Sequence, residues 1–543
     1  MFNNEPTTGP RAVLETSPRS LGLLCLAVLL YFVGLCHYIR LPFTNTDGVF
    51  ALAAQEVVRQ GLSARLTAFR LLEPNPEFSV YVIACFQKIL GFSEFSSKLP
   101  SLLMGLLGLL GSFLFFRRYA PELSQTVILL LVVNPLFVVI SSWARADIYF
   151  FTTNAFAFFL FWHALRVKSR VWEAAGAVMQ AISMITKYHG FLFLPVIAYL
   201  YFSSPQVAEI RPLVRRFRST MTRLLFPGMI IGGMVGGYML VIIRRYGSLF
   251  HPDWVDFAMG LYPGKIPTYF IFYLFWFAIV MAPFLPLIAW RVGGRLRQRL
   301  GVFATALGVG IASAVVLRLA LGQAEQLPPG LTDAHLPSFI RAAIPGSISW
   351  LPALGAALSV VILYEMYGWI DRGEALDRAM FMWVCLELVI YSYRGTANRY
   401  FLYWLVPISF LVGRLFSEMW QRHLFGRMLC RSVLCGLLAV TVFSLEFFGR
   451  EGAAAAQIAH YVNERGLRGL RPNALLVHAD YLIRPDAWGT QADYRYYIFQ
   501  KPGSNEIDFE GTPVTEARVT ILGQTLKTFI LMRKDRKGSP GGG

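Results

Sequence analysis

The sequence contains little charge for its length. Only 15% of its 543 residues are Asp, Glu, Lys or Arg, whereas a soluble protein carries about 25%. Apolar types make up 55% of the chain, and its mean hydropathy is +0.51. This balance excludes a disordered chain and a series of soluble domains. It indicates that most of the chain lies in a lipid bilayer.

Cysteine and the common cofactor motifs are also scarce. The six Cys residues lie in or beside apolar runs and form no CxxC pair, which argues against a disulfide framework or a metal-binding knot. No Walker loop is present, and no Rossmann fingerprint occurs between a strand and a helix. We therefore expect no required cofactor, and the sequence leaves a role for a divalent metal open.

Long apolar runs dominate what remains. Each is long enough for a membrane-spanning helix, and together they predict about thirteen spans. They lie at about 21–39, 99–116, 124–142, 148–165, 172–186, 189–203, 224–243, 267–290, 301–320, 347–369, 379–393, 400–420 and 432–448. The predicted fold class is therefore a polytopic α-helical membrane protein.

The net charge of +18 has a topological explanation. Lys and Arg recur in short clusters between the apolar runs, as in cytoplasmic loops, and they form no single face that would bind nucleic acid. One alternating set of seven short segments holds about twenty-one basic residues, and the opposite set holds about eight. We expect residues 1–20 to be cytoplasmic and the C-terminus to lie outside, in a bacterial inner membrane.

The segment 41–98 is predicted to form one long outer loop. Its apolar run at 77–90 has only fourteen residues, which is short for a span and suits an interfacial helix. If this run crossed the membrane, every later basic cluster would move to the outer face. The loop would thus contain two interfacial helices, at 49–60 and 77–90.

The composition changes after about residue 450. We predict a membrane domain over 21–450, a small exported α/β domain over 451–535 and a flexible tail over 536–543. The exported domain begins with a helix-like segment. Short β-like runs follow at 474–478, 496–499, 519–522 and 528–532.

Unusual charged residues gather in the predicted outer loops. Asp47, just past the first span, could act as a general base or cap the next helix. Arg145 and Asp147 lie at the outer end of the third span, where charges cost free energy unless they are paired or hydrated. Lys187, Tyr188 and His189 form a short outer turn, which an interfacial Tyr beside a snorkelling Lys would also explain.

Two further outer loops carry Arg residues against the topological rule. Arg244 and Arg245 could make forked contacts with a phosphate or with lipid headgroups. His251 with Asp253 could bind a metal, but two candidate ligands are too few to define a site. Arg399, beside Tyr400, would suit an anionic ligand near the outer interface.

These loops together indicate chemistry at the outer face. No nucleotide pool exists there, so a group-transfer reaction needs a donor that the membrane carries. A lipid phosphate explains the outer Arg residues, and its chain would fit between helices. The partners would be a polyprenyl-phosphate-linked sugar, membrane lipids and an acceptor that is a lipid, glycan or protein.

The ordered motifs resemble the GT-C superfamily of polytopic glycosyltransferases, in the branch of the protein O-mannosyltransferases and the lipid A aminoarabinose transferase. Residues 91–101 read GFSEFSSKLPS, similar to the family pattern G-x-S-E-x-x-x-R-L-P-S. The other matching pieces, which follow the family order, are Thr46-Asp47-Gly48, Ala144-Arg145-Ala146-Asp147, the turn 187–190 and Asn398-Arg399-Tyr400 leading to Pro407. The resemblance covers roughly residues 20–420.

The resemblance implies an inverting sugar transfer from a polyprenyl phosphate, with no required general acid. It gives Asp47 the role of base or acceptor-orienting carboxylate, and Asp147 that of second acid. Five cationic side chains become candidate ligands of the donor phosphate: Arg145, Lys187, Arg244, Arg245 and Arg399. Six others become candidates for the substrate pocket: Glu73, Glu77, Tyr188, His189, His251 and Tyr400.

The chain also departs from this family. Lys98 replaces the usual Arg, and relatives often show Lys-Pro-Pro where this chain has Glu73 and Glu77. The phosphate contacts of that loop would then come from elsewhere. The alternatives are a lipid-linked-sugar transporter or flippase, a glycan polymerase or ligase, and a binding or scaffold protein.

Overall fold

The protein is described from a computed structural model and is mostly helical. The described residues are 18–43, 47–66, 69–70, 75–210, 212–249, 266–293, 304–313, 350–370, 374–391, 398–422, 424–468, 496–501, 511–521 and 524–534.

The α-helices are numbered in chain order. They are α1 (Pro18–Tyr38), α2 (Asp47–Gln60), α3 (Phe78–Leu90), α4 (Glu94–Tyr119), α5 (Ser124–Val132), α6 (Pro135–Ser141), α7 (Ala146–Val167), α8 (Arg170–Thr186), α9 (Leu194–Ser203), α10 (Pro205–Ala208), α11 (Leu213–Tyr246), α12 (Ile266–Met281), α13 (Leu285–Gly293), α14 (Ala304–Ser313), α15 (Trp350–Trp369), α16 (Ala375–Tyr391), α17 (Leu405–Arg422) and α18 (Leu424–Glu464). Short 3₁₀ helices cover Tyr188–Phe193, Ala282–Phe284 and Asn398–Trp404, and the strands are β1 (Tyr496–Lys501), β2 (Gly511–Ile521) and β3 (Gln524–Lys534).

Every predicted apolar run overlaps a helix of the structure. Six helices within the described residues are long and apolar enough to cross a membrane, or seven if the bent pair α5 and α6 counts as one span. The six are α4, α7, α11, the stretch Tyr269–Arg291, the stretch Phe401–Gln421 and α18. The chain is therefore an integral membrane protein, and the total of about thirteen spans stays a prediction.

The predicted span at 124–142 is broken in its middle. Helices α5 and α6 meet at an angle of 64°. Pro135 cannot continue the first helix but suits the first position of the second. The Asn134 side chain caps α6 by accepting hydrogen bonds from the backbone N–H groups of Leu136 and Phe137, at 3.0 and 3.3 Å. This break directs the chain into the turn that precedes α7.

The segment predicted as the first outer loop contains helices in both predicted places, α2 and α3. They pack against each other, and α3 also contacts α4. Their apolar side chains, Phe50 and Ile83 among them, form a buried cluster that includes Ala144 and Ala146. The loop therefore lies directly on the segment that leads into α7. An orientation of α2 and α3 along the membrane surface stays a prediction.

Helix α7 runs through the main apolar core. Most of its side chains are buried, and it packs against α4, α8 and the turn Asn398–Trp404. A span enclosed by protein on several sides can carry polar side chains at its end without exposing them to lipid.

Helix α18 continues without interruption through residue 450, where the composition changes. Its 41 residues end at Glu464, and its last turns pack against β2 and β3 through Ile458, Val462, Val519 and Leu531. The sheet is antiparallel with the order β1-β3-β2. The predicted runs at 496–499 and 528–532 lie within β1 and β3, the run at 519–522 overlaps the end of β2, and the run at 474–478 lies outside the described residues.

Candidate active site at the start of helix α7

Asp147 and Arg145 are placed by the beginning of α7. Arg145 occupies the N-cap position with an extended backbone, and Asp147 lies in the first helical turn. Both side chains are buried. The Arg145 Nε atom lies 3.4 Å from Asp147 Oδ2. The amino end of a helix favours a carboxylate because its free N–H groups carry partial positive charge.

Lys187 reaches the same carboxylate from the end of α8. Its Nζ donates a hydrogen bond of 2.6 Å to Asp147 Oδ1 and one of 2.8 Å to the Tyr403 hydroxyl. The Tyr403 hydroxyl in turn donates to Asp147 Oδ1 at 2.7 Å. We call Arg145, Asp147, Lys187 and Tyr403 the Asp147 cluster. Among the described side chains, it joins two cations and one carboxylate in a buried place.

Tyr403 is not among the residues that the sequence predicts for the site. It lies on the turn Asn398–Trp404, 216 residues after Lys187, within an apolar run that shows no polar pattern. Its ring packs edge-on against Phe150 with centroids 4.3 Å apart, and it is also near Tyr391. The one available indication was its place four residues after Arg399 in the same motif.

The backbone after α8 aims Lys187 at the cluster. Lys187 ends the helix in an extended conformation, with φ −153° and ψ 128°. The chain then folds tightly back, and a Cβ atom on Gly190 would lie 2.7 Å from the Met184 Cα. Gln180 stabilises this turn by donating to the Gly190 carbonyl at 2.8 Å. Glycine at position 190 is therefore a requirement of the turn that presents Lys187.

Asp47 is the first residue of α2, and its side chain is fully buried. Lys98 pins the chain just before it, donating to the carbonyls of Leu41 and Pro42 at 2.9 and 3.2 Å. The charges of Asp47 and Lys98 also attract each other. Lys98 therefore organises the entry to α2.

Glu77 forms a second polar centre, between the first loop and the C-terminal end of α11. It is buried and accepts hydrogen bonds of 2.6 Å from the Tyr81 and Tyr246 hydroxyls. Arg245 approaches the Glu77 carboxylate at 3.2 Å. The Glu77 backbone N–H donates to the Tyr238 hydroxyl at 2.9 Å. We call these five residues the Glu77 junction.

Further bonds tie the first loop to α11 around this junction. Arg245 also donates to the Leu62 carbonyl at 2.9 Å, and Arg70 donates to the carbonyls of Ser248 and Leu249 at 3.0 and 2.7 Å. Burial, followed by the hydrogen bond to Glu77, raises the pKa of the Tyr81 hydroxyl. That hydroxyl therefore stays protonated at neutral pH and remains a donor.

The other predicted site residues lie in different surroundings. Arg244 is exposed, and Tyr188 is half-buried near the charges of Arg70 and Glu77. His189 is half-buried and stacks on Tyr391, with centroids 5.9 Å apart. The backbone of two more, Arg399 and Tyr400, lies in the turn Asn398–Trp404, but their side chains are outside the described part. Glu73 and His251 lie outside the described residues altogether.

The described residues hold no group of three His, Cys, Asp or Glu side chains that could bind a metal ion. The predicted candidate pair, His251 and Asp253, is outside them.

The fold and the Asp147 cluster define a polytopic membrane protein with an ionised centre where several helices end. A family model described as Dolichyl-phosphate-mannose-protein mannosyltransferase matches residues 75–214. This range contains Glu77 and three members of the Asp147 cluster. The resemblance that the motifs predict is thereby confirmed for this part of the chain. No curated protein sequence gives a significant match.

The solved structures similar to this chain include the following three. ArnT from Cupriavidus metallidurans in the apo state is 15% identical over 95% of this chain and 98% of its own, with a TM-score of 0.45. The same protein bound to undecaprenyl phosphate is also 15% identical, with the same coverage and a TM-score of 0.43. The Archaeoglobus fulgidus oligosaccharyltransferase, tethered to an acceptor peptide, is 12% identical over 89% of this chain and 69% of its own, with a TM-score of 0.45.

Proposed function

We propose that this protein is a membrane glycosyltransferase that moves a sugar from a polyprenyl phosphate to an acceptor at the outer face. The observation that carries this proposal is the Asp147 cluster, three of whose members lie in the range matched by the family model. Ionised side chains at the end of a membrane span are costly and usually serve function. The acceptor would be a lipid, a glycan or a protein.

The cations of the cluster would hold the donor phosphate. Arg145 and Lys187 both converge on Asp147, and a phosphate oxygen could share or replace that partner. Arg makes forked contacts to phosphate, and Lys supplies a compact charge. Fixed cations would also stabilise the phosphate as it leaves the sugar. Arg244, Arg245 and Arg399 remain proposed phosphate ligands from neighbouring loops.

Asp47 is the proposed general base. Asp147 Oδ1 already accepts two hydrogen bonds, so it is less available to take a further proton. Asp47 lies at the start of α2, beside the apolar cluster that also covers Ala144 and Ala146. It would accept the acceptor's proton as the acceptor attacks the anomeric carbon. A single displacement of the lipid phosphate would invert the configuration of the sugar.

The proposed topology places this site outside the cell or in the periplasm. Residues 1–20 would be cytoplasmic, in a bacterial inner membrane, and 451–535 would form the exported domain. Glu77, Tyr188 and His189, together with Glu73, His251 and Tyr400, would line or support the substrate pocket. The first loop would cover the pocket.

Release of free polyprenyl phosphate tests the proposal. Purified protein in nanodiscs would be given a panel of short-chain polyprenyl-phosphate sugars, each paired with candidate lipid, glycan and peptide acceptors, comparing wild type with Asp47→Asn. We expect wild type to release polyprenyl phosphate from at least one donor. A lost general base lowers rates by about 10²–10⁴-fold, so Asp47→Asn should be nearly inactive while keeping its fold and its donor affinity.

The matched control is Glu56→Gln, which removes an acid from the same helix α2 and should retain wild-type release. Normal release by Asp47→Asn would remove Asp47 as the base. Donor binding by wild type without release from any pair of donor and acceptor would contradict the transferase and favour a transporter.

A further inference from the structure

Three polar atoms of the Asp147 cluster form a closed triangle. The Lys187 Nζ, the Tyr403 hydroxyl and Asp147 Oδ1 lie 2.6, 2.7 and 2.8 Å apart. A phenol has one proton to give, and Tyr403 gives it to Asp147 while accepting from Lys187. Asp147 and Lys187 therefore both hydrogen-bond to the same Tyr403 hydroxyl.

The two partners of Asp147 in this triangle differ in mobility. The Tyr403 ring is buried and held between Phe150 and Tyr391, so its hydroxyl stays in place. The Lys187 side chain has four rotatable bonds, and Lys187 lies just beyond the end of α8. On these grounds we expect the Lys187 side chain, rather than the Tyr403 ring, to reorient towards an arriving anion.

We propose that Tyr403 is a positioning residue that keeps Asp147 hydrogen-bonded while Lys187 changes partner from Asp147 to the donor phosphate. This inference rests on the proposed function. A buried carboxylate that loses a cationic partner becomes costly unless another donor remains. The Tyr403 hydroxyl supplies that donor, and Arg145 supplies the neighbouring charge. Tyr403 thus lowers the free-energy cost of moving the Lys187 ammonium from Asp147 to the phosphate.

The Tyr403→Phe variant separates this role from simple packing, because it keeps the ring and removes only the hydroxyl. Without the hydroxyl, Asp147 depends more on Lys187. We expect the Kd for a short-chain polyprenyl phosphate to rise about tenfold, as for the loss of a hydrogen bond to a charged group. The effect should fall mainly on the KM for the donor and less on kcat.

A double-mutant cycle shows whether Tyr403 acts through Asp147. In an Asp147→Asn background the Asp147 carboxylate no longer competes with the phosphate for Lys187, so adding Tyr403→Phe should change the polyprenyl phosphate Kd by less than about twofold. Equal losses in both backgrounds would mean that the hydroxyl acts elsewhere and would overturn the proposal.

Labelling of Lys187 tests the triangle without any donor. The rate of acetylation by acetic anhydride would be measured at Lys187 by mass spectrometry, in detergent. If Asp147 holds Lys187 more tightly in Tyr403→Phe, the rate should fall below wild type. A merely structural role predicts the opposite, because a loosened core exposes the amine.

The control is Tyr149→Phe, which removes another buried tyrosine hydroxyl from α7 and has no place in the triangle. It should leave both the Lys187 rate and the polyprenyl phosphate Kd unchanged. If wild type binds no polyprenyl phosphate, the proposed function is refuted. The labelling of Lys187 would still test the hydrogen-bonded triangle, because it needs no donor. Wild type that binds, with Tyr403→Phe unchanged in Kd and in labelling, would refute the role of Tyr403 alone.

Discussion

At the scale of single residues, Lys187 holds the candidate site together. Its side chain joins the start of α7 to the turn Asn398–Trp404, while its own backbone ends α8. Three distant parts of the chain therefore meet at one ammonium group. The proposed phosphate contact makes this group the most sensitive position for donor binding.

Lys187→Met should weaken binding of a polyprenyl phosphate by about ten- to a hundredfold, since hydrogen bonds to charged groups contribute about 1.5–3 kcal/mol. Binding would be measured by native mass spectrometry in nanodiscs. Lys168→Met is the matched control, because Lys168 ends helix α7 at the end opposite to the Asp147 cluster. Equal affinity of wild type and Lys187→Met would exclude Lys187 as a phosphate ligand.

Gly190→Ala should destabilise the turn that presents Lys187. The added Cβ would meet the Met184 backbone at 2.7 Å, and overpacking of this kind costs about 1–3 kcal/mol. A lower midpoint of thermal unfolding in detergent checks this. Gly232→Ala serves as control because a Cβ there meets nothing within 4 Å. Equal midpoints for the two variants would contradict the steric argument.

The residues of the Asp147 cluster show what sequence can and cannot predict. Arg145, Asp147 and Lys187 were candidates because charges at the end of an apolar run are unusual in themselves. Their pairing depends on how α7 and α8 fold together, and Tyr403 lies 256 residues from Asp147. A tyrosine in an apolar run carries no local mark of such a contact. Glu77, likewise, was a candidate without any indication of its partners on α11.

At the scale of elements, the Glu77 junction fixes α3 to the C-terminal end of α11. One carboxylate accepts from two tyrosine hydroxyls and pairs with Arg245. Arg245 is partly exposed, and screening by solvent reduces what the ion pair alone contributes. The hydrogen bonds from the two tyrosine hydroxyls to the buried carboxylate therefore supply most of the stabilisation at this junction.

Glu77→Gln should loosen α3 without unfolding the core. The change removes the charge that faces Arg245 and weakens bonds worth about 1–3 kcal/mol in total. Hydrogen exchange should become faster at the backbone amides of α3 and stay unchanged in α7. The control Glu446→Gln breaks an exposed pair with Arg450 on α18. Unchanged exchange in α3 would show that the junction does not hold this helix.

The boundaries of the helices differ in how well the sequence predicts them. The break between α5 and α6 follows from Asn134 and Pro135, a cap followed by a helix breaker, yet the apolar run continues through it and predicts one span. For α18 the error is the reverse, because the sequence predicts a boundary where the structure has one continuous helix. Its composition changes at residue 450, but the Ala-rich stretch 453–456 keeps a strong preference for helix. The composition of a segment indicates whether it lies in lipid or in water. A helix can continue across the boundary between the two.

At the scale of the whole molecule, the basic clusters predict the direction of every span. Residue 480, outside the described residues, should then be accessible from outside the cell. In a variant whose six native cysteines are replaced, Asp480→Cys should react with a membrane-impermeant maleimide on intact cells. The matched cysteine is Arg297→Cys, in a predicted cytoplasmic loop, which should react only after the cells are opened. The reverse pattern would overturn the predicted orientation.

Helix α18 is about 60 Å long and has no break. It fixes the rotational phase between its apolar first half and the sheet that packs on its last turns. Inserting one residue near position 450 would turn the sheet-bearing end by about 100° and shift it by about 1.5 Å. Inserting seven would restore the phase nearly completely while lengthening the rod by about 10 Å. Changes of length in α18 by whole turns should therefore keep the sheet on the same side of the helix.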